Sequence, residues 1–170
     1  MASEPPTAAA SEDAAGPCIL CFDGSDTARK AIRETAGLLA PAPALVVHVW
    51  LRPSALMFQG RHLASTHPLA PAADEFDASA REVAEAVLAD GVRLAAQCGF
   101  DPESALLVSQ HGVWAPIVEL AEERSARAVS VGSRGVSSLE SAMLGSVAHG
   151  VANHCGRPVI IVPAGARHRA

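Results

Sequence analysis

Three glycines and a serine near the end of the chain have the spacing of an anion-binding loop. Two residues separate Gly132 from Gly135, nine separate Gly135 from Gly145, and Ser146 follows, which gives G-x2-G-x9-G-S. A β-branched apolar run precedes this loop and a helical pattern follows it. Glycine lets the backbone approach a ligand closely, and N–H groups at a loop and a helix start attract anions. The sequence therefore predicts a phosphate-binding loop, to which Ser133 and Ser146 add hydroxyl donors.

Two better-known phosphate loops do not fit this sequence. A P-loop needs a lysine directly after its second glycine, and the only lysine of the chain is Lys30, far from these glycines. The dinucleotide fingerprint G-x-G-x-x-G belongs in the first strand-to-helix turn, whereas this loop comes late and has another spacing. The remaining alternative is that the glycines only make a tight turn.

Five short apolar runs predict strands, and four stretches of helical character separate them. The strands are predicted over residues 18–22, 44–50, 105–110, 127–131 and 158–163. One helix is predicted to begin at Asp26, and a second, of about six turns, at Asp77, with Val83 among its inward positions. Residues 51–73 are expected to form a long loop that could cover a ligand. This alternation predicts a doubly wound, parallel five-stranded sheet with helices on both faces.

Asp23 lies at the carboxyl end of the first predicted strand, within Asp23-Gly24-Ser25. Open α/β sheets bind ligands at this end of their strands, so we expect Asp23 to face a ligand. The alternative is that its carboxylate stabilises the N-terminus of the following helix.

The glycine spacing resembles that of the universal stress protein family, and specifically its ATP-binding branch. The resemblance extends over most of residues 17–163 and implies a Rossmann-like, adenine nucleotide alpha hydrolase-like fold with strand order 3-2-1-4-5. In that order the first and fourth strands are neighbours whose connections leave in opposite directions, so Asp23 and Gly132 should flank a crevice.

The resemblance also implies a ligand, ATP with Mg²⁺, and a role for each matching residue. The phosphates would be held by Gly132, Gly135, Gly145 and Ser146, with backbone contacts from Val131 and Val147 and further contacts from Ser133 and Arg134. At the other end of the ligand, Asp23 would contact the adenine end and Val49 would pack on the adenine ring. The implied function is that of a nucleotide-dependent sensor or adaptor in the stress response.

Two other functions remain open. The first is a slow ATP hydrolase or nucleotidyl transferase. No lysine accompanies the loop and Glu140 is the only acid near it, so we expect no enzyme activity beyond a weak ATPase. The second is a dimeric interaction module that binds no nucleotide. The family branch of that kind lacks the full glycine spacing, which is intact here.

Length, charge and the first residues of the chain predict its domain organisation, its partners and its compartment. A length of 170 residues predicts one domain, over residues 17–164, between a disordered tail at 1–16 and a short flexible tail at 165–170. The net charge of −5 and an aromatic content of 4% argue against nucleic acid and membrane surfaces as partners. The first residues do not resemble a targeting signal, so a cytoplasmic protein is expected.

The cysteines and histidines predict no metal site. Cys18 and Cys21 spell C-x-x-C, but positions three apart on a strand face opposite sides of the sheet. His48 is expected to be structural, and His62 and His67 are a weak metal signal.

The fifth strand predicts the mode of assembly. Its sequence, PVIIVP, is apolar and would lie unprotected at the edge of the sheet. We expect a homodimer through residues 159–162, as the resemblance also implies, and a further protein partner of unknown identity.

Overall fold

The computed structural model describes residues 16–52, 54, 70–109, 112–135 and 144–164. In chain order its elements are β1 (Gly16–Cys21), α1 (Asp26–Leu39), β2 (Pro43–Leu51), α2 (Ala70–Gln97), β3 (Asp101–Ser109), α3 (Trp114–Glu123), β4 (Ala126–Gly132), α4 (Ser146–His154) and β5 (Val159–Val162). Gly16, predicted to end the N-terminal tail, begins β1. The rest of that tail and the predicted tail at 165–170 lie outside the described residues.

The five strands form one parallel sheet in the order β3-β2-β1-β4-β5. This confirms the predicted doubly wound fold and its strand order. Cys18 of the central strand β1 lies opposite Ala44 of β2 and Ala128 of β4. At this level the three central strands are therefore apolar, as is typical of a parallel sheet covered on both faces.

Alternate residues of β1 belong to two separate hydrophobic cores. Cys18 and Leu20 pack with α1 and α2 on one face, whereas Ile19 and Cys21 pack with α3 and α4 on the other. The two thiols of the C-x-x-C sequence thus face opposite sides, as predicted, and both are free cysteines. Each face is closed by aliphatic side chains of its helices, such as Ile32 on the first face and Ile117, Ala121 and Val151 on the second.

Helix α2 and strand β3 begin well before their predicted starts. Helix α2 begins at Ala70 and not at Asp77, so residues 70–73 of the predicted loop are helical, while residues 55–69 lie outside the described part. Pro71 is compatible with this start because the N–H that proline lacks would be unpaired in the first turn of a helix. Strand β3 begins at Asp101 and not at residue 105, because it pairs with β2 along its whole length.

The prediction that Val83 faces the core is wrong. Its side chain is 65% exposed, whereas Ala84 and Leu88 are buried. Val83 lies roughly 100° around the helix axis from Ala84, which places it at the margin of the buried face.

Candidate functional site

The first and fourth strands create a crevice at their carboxyl ends. Strands β1 and β4 are neighbours, and their following helices pack on opposite faces of the sheet, α1 on one and α4 on the other. The two chain connections therefore leave in opposite directions, and a gap opens between them. The β1 connection brings Asp23 to this gap, and the β4 connection brings the glycine loop.

The crevice is a cleft of about 280 Å³. Its lining residues are Asp23, Ala28, Val131, Gly132, Arg134, Gly135, Gly145, Ser146, Val147 and Ala148. Most residues of the predicted site meet here, although Asp23 and Ser146 are more than a hundred positions apart in sequence. Ala28 and Ala148 were not predicted; both lie in the first turn of a helix that begins at the cleft, which is the signal that could have identified them.

The turn after β1 is held by its own polar groups. Asp23 Oδ1 accepts a hydrogen bond of 3.0 Å from the Ser25 N–H, and Ser25 Oγ accepts one of 3.1 Å from the Ala28 N–H. Gly24 has φ +81°, a left-handed conformation that favours glycine. Ser25 therefore caps α1, and the same turn places the Asp23 side chain in the cleft.

The N-terminus of α4 has no such side-chain cap. Its N-cap residue is Gly145, and no side chain of the described residues caps this helix start. The first-turn residues Ser146, Val147 and Ala148 line the cleft. Backbone N–H groups of a first helical turn have no partner within the helix and carry partial positive charge. Together with Arg134, they make this end of the cleft suitable for an anion.

Two of the loop glycines are required by contacts within the protein. A Cβ atom at Gly132 would lie 2.8 Å from Thr27 Cγ2, and one at Gly135 would lie 2.7 Å from Asp23 Oδ2. Gly132 thus allows β4 to pass under the start of α1. Gly135 allows the glycine loop to approach the carboxylate on the opposite side of the cleft.

Ser133 and Val49 are predicted site residues that do not line the cleft. The polar atoms of Ser133 bond to Gly145 and to the end of β5. Val49 extends the row of Leu45 and Val47 on the α3 and α4 face of β2, the same face to which Cys21 belongs. Val49 therefore lies on the side of the sheet from which α4 approaches, beside the cleft.

The histidine next to Val49 is structural, as predicted. The Nδ1 atom of His48 lies 2.7 Å from the Phe22 carbonyl oxygen, and since a carbonyl only accepts, Nδ1 carries the proton. This bond ties β2 to the residue after β1, one position before Asp23.

Within the described residues, no group of three or more His, Cys, Asp or Glu side chains could hold a metal ion. The predicted positions His62, His67 and Glu140 lie outside that part of the chain. No helix among the described elements is long and apolar enough to cross a membrane.

Comparison with known proteins identifies a family and several solved structures to which this chain is similar. The model of the universal stress protein family matches residues 16–163. A search of curated proteins gave no match.

Three solved structures illustrate the likeness. The hypothetical protein MJ0577 has a TM-score of 0.71 and 20% identity, over 90% of this chain and 99% of that one. The universal stress protein from Archaeoglobus fulgidus in complex with dAMP has a TM-score of 0.57 and 26% identity, over 86% of this chain and 97% of that one. A universal stress protein family protein from Arabidopsis thaliana with AMP bound has a TM-score of 0.55 and 13% identity, over 91% and 96%. The first and third show the fold alone.

Proposed function

Because this chain belongs to the universal stress protein family, we propose that it binds an adenine nucleotide in the cleft and acts as a nucleotide-dependent sensor or adaptor in the stress response. The observation that carries the proposal is the meeting of Asp23, the glycine loop and the uncapped start of α4 in one cleft. The dAMP complex of the Archaeoglobus fulgidus relative supports the choice of ligand.

The two ends of the cleft suit the two ends of a nucleotide. The first turn of α4, with Gly145 and Arg134, offers N–H groups and a cation to the phosphates. Asp23 offers carboxylate oxygens that accept hydrogen bonds from the nucleoside, and Val49 offers apolar surface to the adenine ring. The volume of about 280 Å³ is close to the lower end of the range for small-molecule pockets, which favours a mononucleotide.

We propose ATP with Mg²⁺ as the physiological ligand. The described lining of the cleft contains one carboxylate, Asp23. Mg²⁺ commonly binds through substrate phosphates and water with only one or two carboxylates, so this donor set fits a metal that arrives with the nucleotide.

We do not expect efficient turnover of the nucleotide. Phosphoryl transfer needs groups that neutralise the developing charge and orient the attacking water. The described cleft provides Arg134 and Asp23 for these tasks, with no lysine among its lining residues. ATP hydrolysis at several per second by the purified protein would contradict this part of the proposal.

The proposed assembly is a homodimer through β5. This four-residue strand lies at one edge of the sheet and pairs only with β4 among the described strands. Val159, Ile160 and Ile161 are all partly exposed there. An apolar edge of this kind favours pairing with a second chain. Light scattering should give the mass of two chains, and a clean monomer would contradict the dimer.

Isothermal titration of AMP and of Mg-ATP into nucleotide-stripped protein tests the proposed function. We expect one nucleotide per chain. Arg134→Glu should weaken ATP binding by roughly ten- to a hundredfold, since it replaces a charge-assisted contact with repulsion. Arg127→Glu is the matched control, because Arg127 is an exposed arginine near the opposite end of β4. Equal losses in both variants, or no binding by the wild-type protein, would overturn the proposal.

A further inference from the structure

Ser133 uses its backbone and its side chain to join two parts of the chain. Its N–H donates to the Val162 carbonyl at 2.8 Å, and its own carbonyl accepts from the Gly145 N–H at 2.8 Å. Its Oγ accepts from the Ala164 N–H at 3.0 Å. Ser133 thus lies between Gly132 and Gly135 without lining the cleft that they line.

The carbonyl of Ser133 fixes where α4 begins. Gly145 is the N-cap of this helix, so its position determines where the first-turn N–H groups point. Gly145 lies close to the backbone of Ser133 and Arg134. A Cβ at Gly145 would be 3.3 Å from the Ser133 carbonyl oxygen and 3.5 Å from Arg134 Cα. A small shift of Ser133 would therefore move the start of α4 relative to the rest of the loop.

The other two bonds of Ser133 anchor the loop to the end of β5. Both partners, Val162 and Ala164, flank Pro163, whose carbonyl accepts a hydrogen bond of 3.0 Å from Lys30 Nζ. Lys30 belongs to α1, so the segment after β5 is held from the helix and from the loop. This segment gives the first half of the glycine loop a fixed support.

We infer that Ser133 is a positioning residue of the site: its hydroxyl holds the glycine loop on the segment after β5, so that Gly135 and the first turn of α4 are presented together to a phosphate. This inference rests on the proposed function. It replaces the direct phosphate contact expected for Ser133 from the sequence, because Ser133 does not line the cleft and its Oγ bonds to Ala164.

The test compares AMP binding by the full-length wild-type chain, Ser133→Ala and Ser133→Thr. All three are titrated at a temperature well below their unfolding midpoints, so that folded protein is measured in each case. Ser133→Ala should weaken AMP binding by roughly five- to tenfold, about the effect of one lost hydrogen bond. Ser133→Thr keeps the hydroxyl and should remain within about twofold of the wild type.

A second variant removes the same bond from its other side. Ala164→Pro lacks the N–H that donates to Ser133 Oγ. We expect it to weaken AMP binding as Ser133→Ala does, and we expect the double variant to bind no worse than the weaker single one, because both changes remove one interaction.

The outcomes separate the inference from the proposed function. Wild-type protein that binds AMP, together with a Ser133→Ala variant that binds equally well, overturns the positioning role alone. So does a Ser133→Thr variant as weak as Ser133→Ala, or fully additive losses in the double variant. A wild-type protein that does not bind AMP overturns the proposed function and, with it, the role of Ser133.

Discussion

Gly132 lies directly against Thr27 at the start of α1. A Cβ at position 132 would be 2.8 Å from Thr27 Cγ2 and 3.1 Å from the Thr27 carbonyl carbon. The first glycine of the loop is therefore a packing requirement between β4 and α1, in addition to any role in ligand approach. For this reason Gly132→Val cannot separate nucleotide binding from a purely structural role, since it disturbs the fold in either case.

Gly132→Ala is expected to destabilise the protein. The added methyl group overlaps Thr27, and overpacking of this kind costs about 1 to 3 kcal/mol. Urea denaturation measures the change. The control is Gly37→Ala, an exposed helical position where a Cβ meets nothing within 4 Å; it should stabilise α1 by about 0.5 to 1 kcal/mol. Equal stability of Gly132→Ala and wild type would contradict the close contact.

Gly135→Ala is expected to affect the ligand more than the fold. Gly135 is exposed, but a Cβ there would lie 2.7 Å from Asp23 Oδ2, so the carboxylate must move. Because Asp23 lines the cleft, AMP binding should weaken by roughly three- to tenfold. The free energy of unfolding should change by less than about 1 kcal/mol, as is usual for surface positions. An unchanged AMP affinity in calorimetric titration would show that the placement of the Asp23 carboxylate does not affect ligand binding.

A buried hydrogen bond between α1 and β4 gives the third prediction. Thr35 Oγ1 and Ser130 Oγ lie 2.7 Å apart, and both residues are almost fully buried. Thr35→Val keeps the shape but leaves the Ser130 hydroxyl without this partner, which should cost about 1 to 3 kcal/mol. Adding Ser130→Ala removes the second polar group, so the double variant should be less destabilised than the sum of the singles. Strict additivity in urea denaturation would contradict the pairing.

The sequence predicted the strands and the faces on which their residues lie because both depend on local rules. Strict alternation places Cys18 and Cys21 on opposite faces, as the two cores confirm. The carboxyl ends of neighbouring parallel strands lie at one edge, which brings Asp23 to Gly135. The order of the strands came from the resemblance and not from the residue pattern.

What the sequence did not predict depends on long-range contacts. The glycine loop around Ser133 predicts a contact between Ser133 and a phosphate. The hydrogen bonds of Ser133 to Val162 and Ala164 form only in the folded chain, so the local sequence does not contain them. Helical spacing identified Val83 as a core position, but periodicity alone does not locate the centre of a buried face. The start of β3 at Asp101 follows from the length of its neighbour β2, which a local pattern does not contain.

The buried thiols predict a loss of stability at alkaline pH. Burial raises the pKa of Cys18 from 9.0 to about 11, partly opposed by Arg127, and burial raises that of Cys21 to about 12. Below about pH 9 the two thiols keep their protons in both the folded and the unfolded chain. Between pH 9 and 11 the unfolded chain loses protons that the folded chain retains, so the free energy of unfolding falls, by about 2 to 4 kcal/mol from pH 8.5 to 10.5.

Urea denaturation across this pH range measures the effect. The chain has no tyrosine and only one lysine, so few other groups titrate there. The double variant Cys18→Ala/Cys21→Ala should show a much flatter dependence on pH, whatever its absolute stability. An unchanged slope in that variant would assign the alkaline loss to other groups.

The most direct test of the central claim is the amide NMR spectrum of ¹⁵N-labelled, nucleotide-stripped protein during titration with AMP. We predict saturable shifts at Gly135, Gly145, Ser146 and Val147, whose residues line one cleft. Gly99 and Glu123, which lie at the opposite end of the sheet beside the starts of β3 and β4, should not shift. Saturable shifts confined to that opposite end, or no shifts at millimolar AMP, would contradict nucleotide binding in the cleft.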